Sequence, residues 1–189
     1  DAAKLFEQSY RPVLYVGGGA ARSDAGKLVQ ELAEVTNAPI VTTLPARGVV
    51  PDSDPKVLGM LGMHGSFTAN MAMHNADVIL AVGARFDDRV INGPSKFCPN
   101  AKIIHIDIDP SSISKNVSVD IPIVADCKLA LAAMNRWFDS SSDFSEDAMR
   151  AQLAPWLEQL HTWEKAHPLS YVDDEEIIKP QYVIEKLQE

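Results

Sequence analysis

The sequence predicts an α/β domain of three layers, with helices on both faces of a mostly parallel sheet of about six strands. Two observations lead there. Short apolar runs of four to six residues alternate with segments of helical apolar spacing, the pattern of parallel strands covered on both faces. The chain has 189 residues and is 46% hydrophobic, enough for one such domain with a proper core.

The elements follow in order. Val13–Val16 is the first strand, and Gly17-Gly18-Gly19 ends it. A helix is expected from about Asp24 to Val35, capped by Ser23 or Asp24, with Leu28, Leu32 and Val35 on one face. Asn37-Ala38-Pro39 stops it, and Ile40–Thr43 is the second strand. Residues 44–65 read as one long loop rich in Pro and Gly; a loop of that length in a compact domain is usually functional. Ser66 should cap a helix running to Asn75, by accepting from N–H groups of its first turn. Val78–Val82 is a buried strand that empties into Gly83-Ala84-Arg85-Phe86-Asp87-Asp88-Arg89.

A second loop leads to a strand over Lys102–Asp107, a helical turn opened by Pro110, and a strand over Ile121–Val124. Asp126 then caps a helix from Cys127 to about Phe138, with Leu129, Leu131 and Met134 inward. Ser140–Asp143 reads as a linker. A helix over Ala148–Ala166 carries Leu153, Trp156, Leu157, Leu160 and Trp163 in one stripe, and Pro155 should kink or split it. Residues 167–176 are polar and irregular. Pro180 suits the first position of a last helix, whose stripe of Tyr182, Val183 and Leu187 finds no cover. That uncovered stripe, and a start at Asp1 without Met, are the pattern expected of a domain from a longer protein.

Charge excludes some functions. The net charge is −9 and the pI about 5.0, against a nucleic-acid face, which needs a basic patch. Residues 139–189 hold twelve acids and four bases, so most of the excess is a solvated tail. Two cysteines, Cys98 and Cys127, form no CxxC and no His/Cys cluster, so no metal site follows. No signal peptide is visible, and no apolar run approaches the ~18 residues of a membrane span.

In an open parallel sheet, ligands bind beyond the carboxyl ends of the strands, and the candidate residues cluster there. Glycines at Gly17, Gly18 and Gly19 would let a phosphate approach the backbone and a helix N-terminus, or would simply make a tight turn. The fingerprint G-x-G-x-x-G is only partly met, because Arg22 replaces the third glycine. Asp107 ends the fourth predicted strand and can accept both hydroxyls of a ribose, or cap the Pro110 turn; Asp109 suits the cap better. Asp126 is a cap, so an adenine contact there would come from its backbone or from Cys127, to which no thiol chemistry is assigned. Arg85 and Arg89 flank Asp87 and Asp88 after a core strand. One arginine could meet a phosphate or flavin edge, and the other a substrate carboxylate, which guanidinium binds bidentately. A surface ion-pair loop is the alternative. His64, between glycines, reads as a cofactor wall, and Met63 as the methionine set against a ligand. Met60, Met71 and Met73 read as core, and His74 as structural.

L-G-M-H-G at Leu61–Gly65, the block from Asn70 to Val90 containing G-A-R-F-D-D-R-V, and I-H-I-D-I-D-P-S-S-I-S-K-N at Ile104–Asn116 resemble the central domain of the acetolactate synthase (acetohydroxyacid synthase) catalytic subunit. The similarity is dense over residues 10–138 and weaker to the end of the chain, where I-K-P-Q-Y-V-I-E-K-L resembles the start of that family's third domain. The resemblance implies a Rossmann-like, DHS-like NAD/FAD-binding fold. It implies residues 1–138 as the FAD-binding domain, and 139–189 as an acidic helical linker to a domain that binds thiamine diphosphate.

The enzyme so implied uses thiamine diphosphate and Mg²⁺, both held by other domains. It releases CO2 from pyruvate and joins the remainder to pyruvate or 2-oxobutyrate, for isoleucine and valine biosynthesis in a bacterial-type cytoplasm. FAD undergoes no net redox change in that reaction. Partners implied are the flanking domains, other copies of the chain and a regulatory small subunit; no nucleic acid and no membrane are expected. FAD contacts carry over to Gly17, Gly18, Gly19, Thr43, Leu44, Leu61, Gly62, Met63, His64, Gly83, Ala84, Arg85, Asp87, Asp88, Arg89, Asp107, Ile108, Asp126 and Cys127. Arg89 and Met63 carry over to the acceptor-substrate end of the pocket. Pro45 departs from the methionine-like residue of the family pattern. The thiamine-activating Glu and the Gly-Asp-Gly motif of the family are absent from this stretch, so it should be inactive alone. Pyruvate oxidase and glyoxylate carboligase share the family fold, and a non-catalytic nucleotide-binding or assembly module is a further alternative. A sirtuin, of similar core fold, is excluded for want of a four-cysteine zinc site.

Overall fold

The computed structural model describes residues 1–87, 90, 91, 93, 97–174 and 176–188. Six strands form one sheet: β1 (Pro12–Val16), β2 (Ile40–Thr42), β3 (Val57–Met60), β4 (Val78–Val82), β5 (Lys102–Asp107) and β6 (Ile121–Val124). Every pairing is parallel, and the order across the sheet is β3-β2-β1-β4-β5-β6. The helices are α1 (Ala2–Glu7), α2 (Gly18–Arg22), α3 (Gly26–Thr36), α4 (Phe67–Asn75), α5 (Cys127–Ser140), α6 (Glu146–Ala166) and α7 (Pro180–Gln188).

Strand parity builds the three layers. Side chains alternate between faces along a strand. Leu14, Val16, Leu80, Val82, Ile104 and Ile106 therefore join one buried cluster with Phe6 of α1, Val29 and Leu32 of α3, and Leu131 and Met134 of α5. Val13, Tyr15, Ile79, Ala81 and Ile103 join the opposite cluster with Ala72 and Met73 of α4, and Trp156 and Leu160 of α6. The start of the sheet is pinned by Asp77, whose carboxylate accepts from the Tyr10 and Arg11 N–H groups at 2.7 and 2.9 Å.

Several expectations are corrected. The long loop contains β3, an edge strand with a glycine in it and no strong apolar run to announce it. The helix after the glycine turn starts at Gly26 without a side-chain cap, because Asp24 sits in the left-handed region (φ 52°) and turns its carboxylate to Lys128 at 3.1 Å. Leu129 is 70% exposed rather than inward; Ala130, Leu131 and Met134 face the core. Pro155 does not split α6, which runs unbroken from Glu146 to Ala166. Pro155 and Ala151, whose carbonyl loses its helical donor, both lie on the solvent side, where water can satisfy the freed group. The Ser66 cap stands, with its hydroxyl accepting from the Ala69 N–H at 3.1 Å. Residues 1–11 carry α1, for which the sequence offered no reading.

Candidate functional site

The sheet order reverses between β1 and β4. The chain leaves β1 toward β2 on one side, while β4 leads to β5 on the other, so a crevice opens above the two strand ends. Glycines bring these ends into backbone contact. A Cβ on Gly19 would lie 2.7 Å from the Gly83 Cα, and one on Gly83 would lie 2.6 Å from the Gly19 Cα. Gly17 likewise has no room for a Cβ against Gly83. The Gly17 N–H donates to the Val82 carbonyl (2.8 Å), Gly19 N–H to the Gly83 carbonyl (3.0 Å) and Ala20 N–H to the Gly17 carbonyl (3.0 Å). Packing thus accounts for Gly17, Gly19 and Gly83, and three N–H groups that could have faced a phosphate are already used. Gly18 differs: its added Cβ would meet only side chains, Pro45 at 3.1 Å and Arg22 at 3.7 Å, at the cavity wall.

A cavity of about 860 Å³ runs along the crevice. Strands about 4.8 Å apart give a six-strand edge roughly 24 Å long. Its character changes along that edge. Beyond β2 and β3 it is lined by Thr43, Leu44, Pro45, Met60, Leu61, Gly62, Met63 and His64. Leu44 and Met63 are 71% and 75% exposed, an apolar wall with no protein cover. The Thr43 Oγ1 is buried there without a hydrogen-bond partner among the described residues. Gly62 is left-handed (φ 111°) and is held by Asn70, which accepts from its N–H at 3.2 Å and donates to its carbonyl at 3.0 Å.

The middle is lined by Gly18, Gly19, Arg22, Gly83, Ala84, Arg85 and Asp87. Arg85 and Asp87 pair at 2.8 Å on the surface. Past β5 and β6 the wall becomes acidic: Asp107, Ile108, Asp109, Ser112, Asp126 and Cys127.

Each group at the acidic end has a defined state. Asp107 is only 8% exposed, and its Oδ1 accepts from the Asp109 N–H at 2.9 Å. Asp109 caps the 3₁₀ turn Pro110–Ser112; hydrogen bonds from the Ser111 hydroxyl and N–H hold its carboxyl below the usual range. Asp126 caps α5 by accepting from the Lys128 and Leu129 N–H groups. Burial, helped by the Asp126 and Asp107 carboxylates, pushes the Cys127 thiol up to about 11, so it is no nucleophile at neutral pH. Under this wall lies His105, fully buried, 3.8 Å from the Asp107 carboxylate. Burial pushes its pKa down, although Asp107 pulls it up.

Of the candidate residues, all that are described line this cavity except Gly17, which lies behind it. Asp88 and Arg89 lie outside the described residues. The cavity also takes Tyr15, Arg22, Ser23, Pro45, Met60, Phe86, Val90, Asp109 and Ser112, which were not singled out as contacts. Met60, expected in the core, lies on β3 at the cavity. Arg22 carried a signal, since it stands where a dinucleotide fingerprint has glycine. Tyr15 and Phe86 carried none beyond being aromatic. Among the described residues, no group of three or more His, Cys, Asp or Glu could hold a metal ion. No helix among them is long and apolar enough to cross a membrane.

Residues 1–134 match the family model described as thiamine pyrophosphate enzyme, central domain. The chain belongs to that family. It is 47% identical over 177 residues to the acetolactate synthase isozyme 3 large subunit of Escherichia coli K12, covering 94% of this chain and 30% of that protein. It is 45% identical over 193 residues to the acetolactate synthase of Mycobacterium bovis, covering all of this chain and 30% of the relative. With the acetolactate synthase large subunit of Haemophilus influenzae the identity is 41% over 186 residues, covering 97% and 31%. The chain therefore spans about 30% of the length of these relatives.

Proposed function

Taking membership of the thiamine-enzyme central-domain family as the premise, we propose that this chain is the FAD-holding domain of an acetolactate synthase catalytic subunit. The observation that carries the FAD reading is the change of character along the cavity. A flat aromatic ring system suits the apolar wall of Leu44, Met60, Leu61 and Met63, where the orphaned Thr43 hydroxyl can meet a ring carbonyl or nitrogen. A diphosphate suits the middle, beside Gly18, Arg22 and Arg85. A ribose suits Asp107, whose Oδ1 is engaged by a backbone N–H while its carboxylate can still accept from hydroxyls. The backbone at Ile108 and Asp126, with Cys127, would face the adenine. The size also fits, since ligand cavities span roughly 300–1,000 Å³.

In the complete protein the reaction would join two pyruvates, or pyruvate and 2-oxobutyrate, with loss of CO2. Thiamine diphosphate and Mg²⁺, held by the flanking domains, would supply the decarboxylation chemistry. Met63 and Arg89 would face the acceptor 2-oxo acid, with the Arg89 guanidinium on its carboxylate. The relatives named as large subunits favour a second, small subunit as a partner; other copies of the chain and a cytoplasmic location go with the same reading. This stretch would bind, orient and exclude water, without chemistry of its own.

The test is a titration of this chain, and of the complete protein, with FAD, read by flavin fluorescence and thermal shift. Saturable quenching with a raised Tm is expected. Absence of flavin from the complete protein, with acetolactate still formed, would overturn the FAD reading.

A further inference from the structure

The loop after β4 takes a path that costs energy. Gly83 is left-handed (φ 61°), and so, three residues on, is Phe86 (φ 52°). Glycine accepts that region freely; a phenylalanine there is an outlier that the surroundings must enforce. Those surroundings are on hand. The Phe86 ring is 2% exposed and packs on Tyr15 at 5.4 Å, edge-on to Phe97 at 5.8 Å and edge-on to His105 at 5.2 Å. Its carbonyl accepts from Asn116 Nδ2 at 3.0 Å, thirty residues away. The next carbonyl, of Asp87, accepts from the Val90 and Ile91 N–H groups at 3.0 and 3.1 Å. Phe86 is thus flanked by the paired Arg85 and Asp87, both exposed on the cavity wall.

We infer that Phe86 is a positioning residue. Its ring, locked among Tyr15, Phe97 and His105, and its carbonyl, held by Asn116, fix the left-handed turn that presents Arg85 and Asp87 to the cavity. The inference rests on the ligand reading above for what these two side chains meet. It adds that the loop is set before the ligand arrives, so little ordering cost falls on binding. His105 has a part in this: its ring nitrogens make no hydrogen bond among the described residues, with the Asp107 carboxylate 3.8 Å away, and the ring packs near-perpendicular to Phe86.

The test compares Asn116→Ala and Phe86→Leu with the wild type in the complete protein, by hydrogen exchange without ligand and by FAD affinity. Asn116 is exposed, so its loss should not unfold the protein even if Phe86→Leu does. Amide exchange at Val90 and Ile91 should quicken about fivefold in Asn116→Ala, and FAD affinity should fall by a similar factor, the loss expected from one hydrogen bond. Unchanged exchange would overturn the clamp. Faster exchange with unchanged FAD affinity would overturn its link to binding. A wild type that takes no FAD would bring down the functional reading instead, and exchange alone would then judge the clamp.

Discussion

The glycine crossing of β1 and β4 leaves no room for a side chain, and Gly83→Ala probes it. Two penalties add. Alanine at a left-handed backbone (φ 61°) costs about 1 kcal/mol. The added Cβ would also lie 2.6 Å from the Gly19 Cα and 2.8 Å from the Ala20 nitrogen. These are backbone atoms tied into hydrogen bonds, so they cannot swing aside as a flexible side chain would. Overpacking of this kind costs about 1–3 kcal/mol. The sum, about 2–4 kcal/mol, should lower Tm by about 4–16 °C for a chain of this size. Gly48→Ala supplies the control: its φ is 82°, with nothing within 4 Å of the added Cβ. It bears the conformational penalty alone and should lose only about 2–4 °C. The assay is thermal and urea unfolding of the two variants beside the wild type. Equal losses for Gly83→Ala and Gly48→Ala would refute the tight crossing, because only steric contact separates them.

Four further outcomes are expected. Asp107→Asn retains an acceptor for the Asp109 N–H but loses its charge, so FAD affinity should drop about tenfold with little change in Tm; unchanged affinity would leave Asp107 a turn-former only. Asp126→Ala removes the α5 cap and should cost about 1 kcal/mol in urea unfolding, which Asp126→Ser restores. Because the folded pKa of His105 lies below its ordinary 6.5, the unfolded chain binds more protons as pH falls below 6.5, and stability should fall with it. His105→Gln should flatten that part of a urea-midpoint-against-pH curve; an unaltered slope would show that other groups set it. Arg89→Ala in the complete enzyme should disturb the choice between pyruvate and 2-oxobutyrate as acceptor more than CO2 release, measured by product ratio; equal losses would tie Arg89 to the flavin instead.

The sequence carried the strands whose apolar residues run together or alternate. Val78–Val82, Lys102–Asp107 and Ile121–Val124 are delimited by their own residues, as are the caps at Ser66 and Asp126. Elements whose reason lies elsewhere in the fold were not legible. β3 is a strand because β2 offers it an edge, not because Val57-Leu58-Gly59-Met60 has a strand pattern. Asp24 has the chemistry of a cap, but the crossing of α2 onto α3 puts it in a conformation no cap adopts. Leu129 follows helical spacing, yet the sheet meets the neighbouring face of α5. At the site, polar candidates could be picked out by type and position, whereas Tyr15 and Phe86 could not. Their roles depend on which rings meet across β1, the β4 loop and β5.

The glycine triplet shows how one motif can hold two jobs. Read as a string, Gly17-Gly18-Gly19 suggests a phosphate cradle. In the fold, Gly17 and Gly19 are there because Gly83 presses on them, and the N–H groups of Gly17, Gly19 and Ala20 end on carbonyls. Gly18 and Gly19 line the cavity, but the Gly19 N–H is spent on the Gly83 carbonyl. A diphosphate at this point would therefore depend on side-chain charge, from Arg22 at the end of α2 and Arg85 after β4, more than on backbone donors. Arg22 is exposed and Arg85 is already shared with Asp87, so both contacts are open to solvent and screened by salt. A backbone cradle would hold its anion at high ionic strength; two exposed guanidinium groups would not. On that reading the absent third glycine of the fingerprint would be no defect, since Arg22 in its place would supply the charge that the occupied backbone N–H groups do not.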